Sequence, residues 1–112
     1  MTFNESIEIV DVPVDQRAGL EWILIESFEG WYLRHSTRTL HHIEIVRAAM
    51  SAGKPVGLVM LKTIEGDVGY VYYIAVPRTE RKKGIGKLLL TDSLKRFQDN
   101  YCEFSSILLY DP

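Results

Sequence analysis

The hydrophobic and polar positions divide the 112-residue chain into alternating short segments. Ser6 to Val12 is apolar at Ile7, Ile9 and Val12 with Glu8 and Asp11 between, the period-two signature of a strand with one wet face, ended by Pro13. Asp15 then caps a helix from Gln16 to about Ser27, whose Leu20, Ile23, Leu24 and Phe28 recur at helical spacing, with Gly30 as its stop. Residues 31–39 carry no clear period, and Phe28, Trp31 and Tyr32 are expected to fill the core or cover its rim. Leu40 to Ala52 shows Leu40, Ile43, Val46 and Met50 at helical spacing, with Ala48 and Ala49 favouring helix. Ile43 and Ile45 alternate about Glu44 as a strand would, and the balance predicts a helix stopped by Gly53.

The second half is sharper. Pro55 to Ile64 reads as a strand, Glu65-Gly66-Asp67 as a turn, and Val68 to Val76 as a second strand rich in β-branched and aromatic residues. So short a connection makes the two antiparallel neighbours. Pro77, which has no N–H to donate, ends the ladder. Gly84 to Asn100 predicts an amphipathic helix with Ile85, Leu89, Leu90, Leu94, Phe97 and Tyr101 on one face. Ile107 to Tyr110 reads as a strand returning after it, parallel to 68–76 through a right-handed crossover. The fold class is α/β (α+β) with a mixed sheet, and the length suits one domain over 1–112.

Composition narrows the class of protein. An apolar fraction of 46% excludes a disordered or collagen-like chain. Cys102 is alone and cannot form an internal disulfide, and no run approaches a membrane span, so a soluble cytoplasmic domain is expected. His41 and His42 have no partners at metal-ligand spacing, so no metal is expected and both are read as solvent-facing or rim residues.

The net charge of −2 conceals an asymmetry: Arg78 to Lys87 holds five basic residues and one acid, so that segment is +4 and the remainder −6. A concentrated positive field of this kind favours a small anion bound at one place. The segment sits where a strand passes into a helix, and the N-terminus of a helix offers unpaired N–H groups and about half a positive charge. Gly84 and Gly86 leave those amides uncovered, while Arg81, Lys82, Lys83 and Lys87 add charge around them, an arrangement suited to a diphosphate. It is neither of two common phosphate loops. Lys87 is followed by Leu88 rather than Ser or Thr, and Leu89 stands where the dinucleotide fingerprint needs its third glycine.

Ile74-Ala75-Val76, four residues, then Arg81-Lys82-Lys83-Gly84-Ile85-Gly86 resembles the central motif of the GNAT superfamily of acetyl-CoA-dependent N-acetyltransferases: an apolar strand, a short spacer, then Gln/Arg-x-x-Gly-x-Gly/Ala opening a helix. Lys54-Pro55-Val56-Gly57 with the strand after it looks like the family's preceding hairpin. The resemblance covers 54–112 closely and 6–52 in outline. It implies a GNAT-like sheet with the antiparallel hairpin 55–76, the motif helix 84–100 and the parallel strand 107–110. It also implies that amides from Arg81 or Lys82 through Gly84, Ile85, Gly86 and Lys87 hold the pyrophosphate of acetyl-CoA, that Ile74, Ala75 and Val76 pair with the pantetheine arm, and that an amine (a protein N-terminus, a lysine or a small metabolite) accepts the acetyl group. In some relatives a glutamate on the motif strand is the general base; that position here is Tyr70. Tyr72, Tyr73, Tyr110, Glu44 and Asp111 stay open, and no base is assigned. The family usually continues with a further helix and two strands beyond the point at which this chain stops, at Pro112. A homodimer or other cover for the 107–110 edge is therefore expected. A non-catalytic acyl-CoA-binding module of the same fold is the alternative. A nucleic-acid-binding domain using Arg78 to Lys87 with Tyr70, Tyr72 and Tyr73 is disfavoured by the net charge.

Overall fold

The computed structural model describes residues 6–64, 68–99 and 108–109. Five strands form one sheet in chain order, β1 (Ile7–Asp11), β2 (Ile45–Ser51), β3 (Lys54–Ile64), β4 (Val68–Ala75) and β5 (Leu108–Leu109). The first four are antiparallel neighbours, and β5 joins β4 in parallel. Between β1 and β2 lie a 3₁₀ turn (Val14–Leu20) and the helices α1 (Glu21–Ser27) and α2 (Gly30–His42); α3 (Ile85–Asp99) forms the crossover from β4 to β5. The hairpin, the crossover helix and the parallel return of the strand agree with the expectation from sequence. Positions 107 and 110 of the predicted last strand lie outside the described residues.

The two faces of the sheet carry separate cores. On one, Leu20, Ile23, Leu24 and Leu40 pack against Val46, Ala48, Leu58, Met60, Tyr73 and Ala75. On the other, Ile85, Leu89 and Phe97 of α3 pack against Ala49, Val56, Val59, Leu61 and Val71. The first turns of α3 seat directly on Gly57 of β3, where there is no side chain in the way. A Cβ at Gly57 would come within 2.9 Å of Ile85 Cγ2 and 3.1 Å of Leu89 Cδ1. That close seat fixes the height of the α3 N-terminus above the end of β4. Farther along α3, Arg47 bridges Asp92 (2.7 Å) and Asp11 (2.8 Å), tying helix to sheet.

Three sequence expectations fail in the first half. The helix predicted over 16–27 is a 3₁₀ turn followed by the shorter α1, and no side chain caps its start. Residues 31–39, read as irregular, lie within α2, which Gly30 opens rather than stops. The helix predicted over 40–52 is mostly β2, because its Ala48 and Ala49 are small residues buried on opposite faces of a covered strand, where tertiary packing outweighs helix propensity. Gly53 closes a two-residue hairpin with Ala52, both at positive φ (79° and 53°), as a type I′ turn requires. Of the three aromatics, Phe28 packs on the core, whereas Trp31 and Tyr32 are exposed.

One buried side chain binds this irregular half together. Arg17 is 3% exposed, and its guanidinium donates to the carbonyls of Val12 (3.0 Å), Leu40 (3.0 Å), Ile43 (2.7 Å) and Glu44 (3.4 Å). It thus satisfies carbonyls at the α2 C-terminus and on both sides of the α2–β2 link. Loss of solvent pushes the Arg17 pKa below its ordinary value.

Candidate functional site

Two features of β4 shape the site. The pairing of β3 with β4 shifts between Met60↔Tyr73 and Leu61↔Val71, so Tyr72 is an extra residue in a β-bulge. The bulge turns Tyr72 and Tyr73 in succession toward the α1/α2 face, while Val71 and Ile74 pack on the α3 side. On its other edge β4 pairs with β5 at Tyr70↔Leu108 and Val71↔Leu109 among the described residues, and then runs on to Ala75. The bulge had no signal in the sequence, because alternation through Tyr70-Val71-Tyr72-Tyr73 is masked by three tyrosines.

Beyond Pro77 the chain makes one 3₁₀ turn (Arg78–Glu80) and enters α3 through Lys82 at φ 66° and Gly84 at φ 83°. Left-handed residues flanking Lys83 turn the successive amides inward into a concave nest. Among the described residues, no acceptor takes the amides of Lys82 to Lys87; Leu88 is the first to bond back, to Gly84 O at 3.0 Å. A Cβ on Gly84 would meet nothing within 4 Å, and one on Gly86 only Val76 Cγ2 at 3.9 Å, so both glycines face open space. The nest lines a cavity of about 440 Å³ walled by Ser27 and Phe28 at the end of α1, by Ile74, Ala75 and Val76, and by Glu80, Arg81, Lys82, Gly84, Ile85 and Gly86. The uncovered amides, the glycines and the basic rim fit a diphosphate, and the edge of β4 past its pairing with β5, unpaired among the described residues, fits an amide-bearing chain.

Eight of the ten residues singled out from sequence therefore meet at one cavity, and two do not. Lys83 is outside its lining and pairs with Glu80 (3.0 Å), and Lys87 is outside it on the exposed side of α3. Arg81 lines the cavity, but its amide is spent on Arg78 O (3.3 Å) and its Nε holds Val76 O (2.8 Å). Its side chain therefore ties the end of β4 to the loop, and the free amides begin at Lys82.

A second cavity, about 450 Å³, opens on the α2 side and is lined by His35, Arg38, Thr39, His42, Ile43, Glu44, Lys62 and Tyr72. Tyr73 stands between the two cavities. Its ring meets Phe28 edge-on at 5.3 Å, and its hydroxyl lies 2.6 Å from His35 Nδ1. Trp31 stacks on His35 with centroids 4.7 Å apart and planes 9° from parallel. The sequence reading missed His35, Arg38 and Lys62. Trp31, His35 and Thr39 do recur at i, i+4 spacing, the signal that would have marked α2. Among the residues left open as a base, Tyr72 lines the second cavity, Tyr73 is buried, and Glu44 accepts from Thr63 N–H (2.8 Å); Tyr70, at the position of the family's glutamate, packs edge-on against Tyr72 at 5.8 Å. Tyr110 and Asp111 lie outside the described residues. His41 is half-buried and bonded to Glu21, and His42 is exposed, so the two sit at the rim and in solvent as expected.

The same architecture recurs in solved acetyltransferases. A ribosomal-protein-alanine N-acetyltransferase from Brucella melitensis biovar Abortus 2308 superposes with a TM-score of 0.76 at 18% identity, over 96% of this chain and 81% of that one. The ribosomal-protein-S18-alanine N-acetyltransferase of Escherichia coli gives 0.71 at 14% identity, over 84% and 61%. The PaiA N-acetyltransferase of Thermoplasma acidophilum, solved with coenzyme A, gives 0.68 at 18% identity, over 86% and 74%. At such identities the likeness is one of fold. No curated protein matches the sequence. A family model does, the Acetyltransferase (GNAT) family, over residues 15–110, a span that holds the bulged strand, the glycine nest and both cavities. With strand, nest and helix in the order that family requires, the chain belongs to the GNAT acetyltransferases.

Proposed function

We propose that the protein is a cytoplasmic N-acetyltransferase that moves the acetyl group of acetyl-CoA onto a primary amine. Family membership supports acetyl transfer in general. The observation that carries the finer reading is the run of uncovered amides from Lys82 to Lys87 over an open glycine nest at the end of β4.

In this reading the amides of Lys82 to Lys87 hold the diphosphate, and Lys82 and Arg81 rim it with positive charge. The edge of β4 at Ile74 and Ala75, continued by Val76 and unpaired with β5 among the described residues, takes the hydrogen bonds of the pantetheine amides, as a neighbouring strand would. The thioester then lies toward the bulge. There the β3–β4 register shifts at Tyr72, and in this reading backbone N–H groups of the bulged segment polarise the carbonyl oxygen. The neutral amine attacks the carbonyl carbon, the carbon–sulfur bond breaks, and the proton lost by nitrogen ends on the departing sulfur. Among the described residues no helix is long and apolar enough to cross a membrane.

Thiol release tests the proposal. With acetyl-CoA and a panel of amines, the protein should release free CoA only when both are present, and the acetylated amine should appear by mass in equal amount. CoA binding without amine-dependent release would make it a non-catalytic module of the same fold.

A further inference from the structure

The second cavity carries charge that the acetyl donor does not use. Arg38 of α2 and Lys62 of β3 both line it, and among the described residues neither forms an ion pair. His35 and His42 add two imidazoles, and both Arg38 and Lys62 are exposed, so neither guanidinium nor ammonium is held by the fold. The one carboxylate in the lining, Glu44, accepts the Thr63 N–H at 2.8 Å and so is partly engaged. Fixed charge in the cavity is therefore net positive. A polyamine or another polycation would meet net repulsion there, whereas an anionic group would find two cations against one carboxylate.

The position is as informative as the charge. Tyr72, the bulge residue, lines this cavity, and its neighbour Tyr73 separates it from the nest cavity through contacts to Phe28 on one side and His35 on the other. A molecule in the second cavity thus approaches the bulge from the face opposite α3. The volume of about 450 Å³ suits a small metabolite.

We infer that this cavity is the acceptor pocket and that the acceptor is a small amino-carboxylate, a primary amine bearing a carboxylate, of amino-acid or dipeptide size. Arg38 and Lys62 hold the carboxylate, and the amine points to the bulge at Tyr72. The inference rests on the acetyl-transfer reading and narrows it to one class of acceptor.

The test uses matched acceptors: amino acids and dipeptides, the same molecules with the carboxylate converted to a carboxamide, and spermidine. The carboxylate form should be acetylated with kcat/KM about tenfold or more above its amide, with spermidine the poorest. The R38A/K62A double variant removes two exposed side chains and should keep its melting temperature and its KM for acetyl-CoA. It should raise KM for the carboxylate form about tenfold or more and erase the difference between acid and amide. Preference for the amide or for spermidine, or an unchanged acid-to-amide ratio in the variant, would overturn the inference. Calorimetric titration of the panel into the CoA-saturated protein reads the pocket without turnover. Amino-carboxylate binding that the double variant loses, with no thiol released by any amine, would refute acetyl transfer and leave the pocket assignment standing. No binding by any amino-carboxylate would refute the pocket assignment itself.

Discussion

Replacing Gly86 by aspartate separates the nest's structural role from its binding role, because the two respond with opposite signs. A Cβ at Gly86 meets only Val76 Cγ2 at 3.9 Å, and its φ is not positive, so the side chain fits without strain. It stands in the first turn of α3, where a carboxylate interacts favourably with the helix dipole by about 0.3–1 kcal/mol and glycine is a poor helix former. The folded state should therefore be unharmed, with a melting temperature unchanged or raised by about 2 °C. The same carboxylate lines the nest cavity beside the free amides. At an effective dielectric of about 20, unit charges roughly 5 Å apart repel by about 3 kcal/mol, so a diphosphate should bind more than about a hundredfold more weakly. Gly86→Ala is the control: it has the same backbone change without the charge and should lose far less affinity. Gly84→Ala differs again, since φ 83° penalises any Cβ by about 1–2 kcal/mol and should lower the melting temperature. Calorimetric titration with CoA and a thermal melt of each variant read both quantities. Undiminished CoA affinity in Gly86→Asp would refute the diphosphate assignment. A parallel fall of stability and affinity would make Gly86 a structural glycine.

Other consequences follow from the same geometry. Arg17→Met should destabilise the protein by about 3 kcal/mol or more in denaturant unfolding, because four carbonyls lose a charged donor, while the CoA affinity of the folded fraction stays the same. Gly69→Ala would bring a Cβ to 2.6 Å from the Phe97 ring and should cost about 1–3 kcal/mol; Phe97→Leu in the same chain should recover part of it, a coupling that a double-mutant cycle reads directly. Arg81→Ala frees Val76 O and removes one rim charge, so KM for acetyl-CoA should rise several-fold with a shallower salt dependence and little change in kcat.

The legible part of this fold is the part in which local and long-range preferences agree. β3 and β4 are runs of apolar, β-branched and aromatic residues bounded by turn chemistry, α3 carries a helical period, and the nest is written in contiguous residues, so motif, cavity and helix could be read together. α2 and β2 are different. α2 buries few side chains, among them Ser36 and Leu40, and exposes Trp31 and Tyr32, so its apolar period is blurred. β2 lies mid-sheet with both faces covered, where Ala48 and Ala49 fit for their size, against their own propensity. The second cavity was hidden for a related reason. His35, Arg38, Lys62 and Tyr72 come together only through the α2–sheet packing and the bulge, and no short window of sequence contains them. Arg17 likewise has three of its four acceptors more than twenty residues away, so nothing nearby in the chain reveals its burial.

The central claim is that the amides from Lys82 to Lys87 receive the diphosphate of a coenzyme A thioester. Titrating CoA into isotope-labelled protein and following backbone amide resonances tests it residue by residue. The account predicts large saturable shifts at Lys82 through Lys87, smaller ones along Ile74 to Val76, and none in β1. Saturable binding with the 82–87 amides unmoved, or no binding at millimolar CoA, would contradict it.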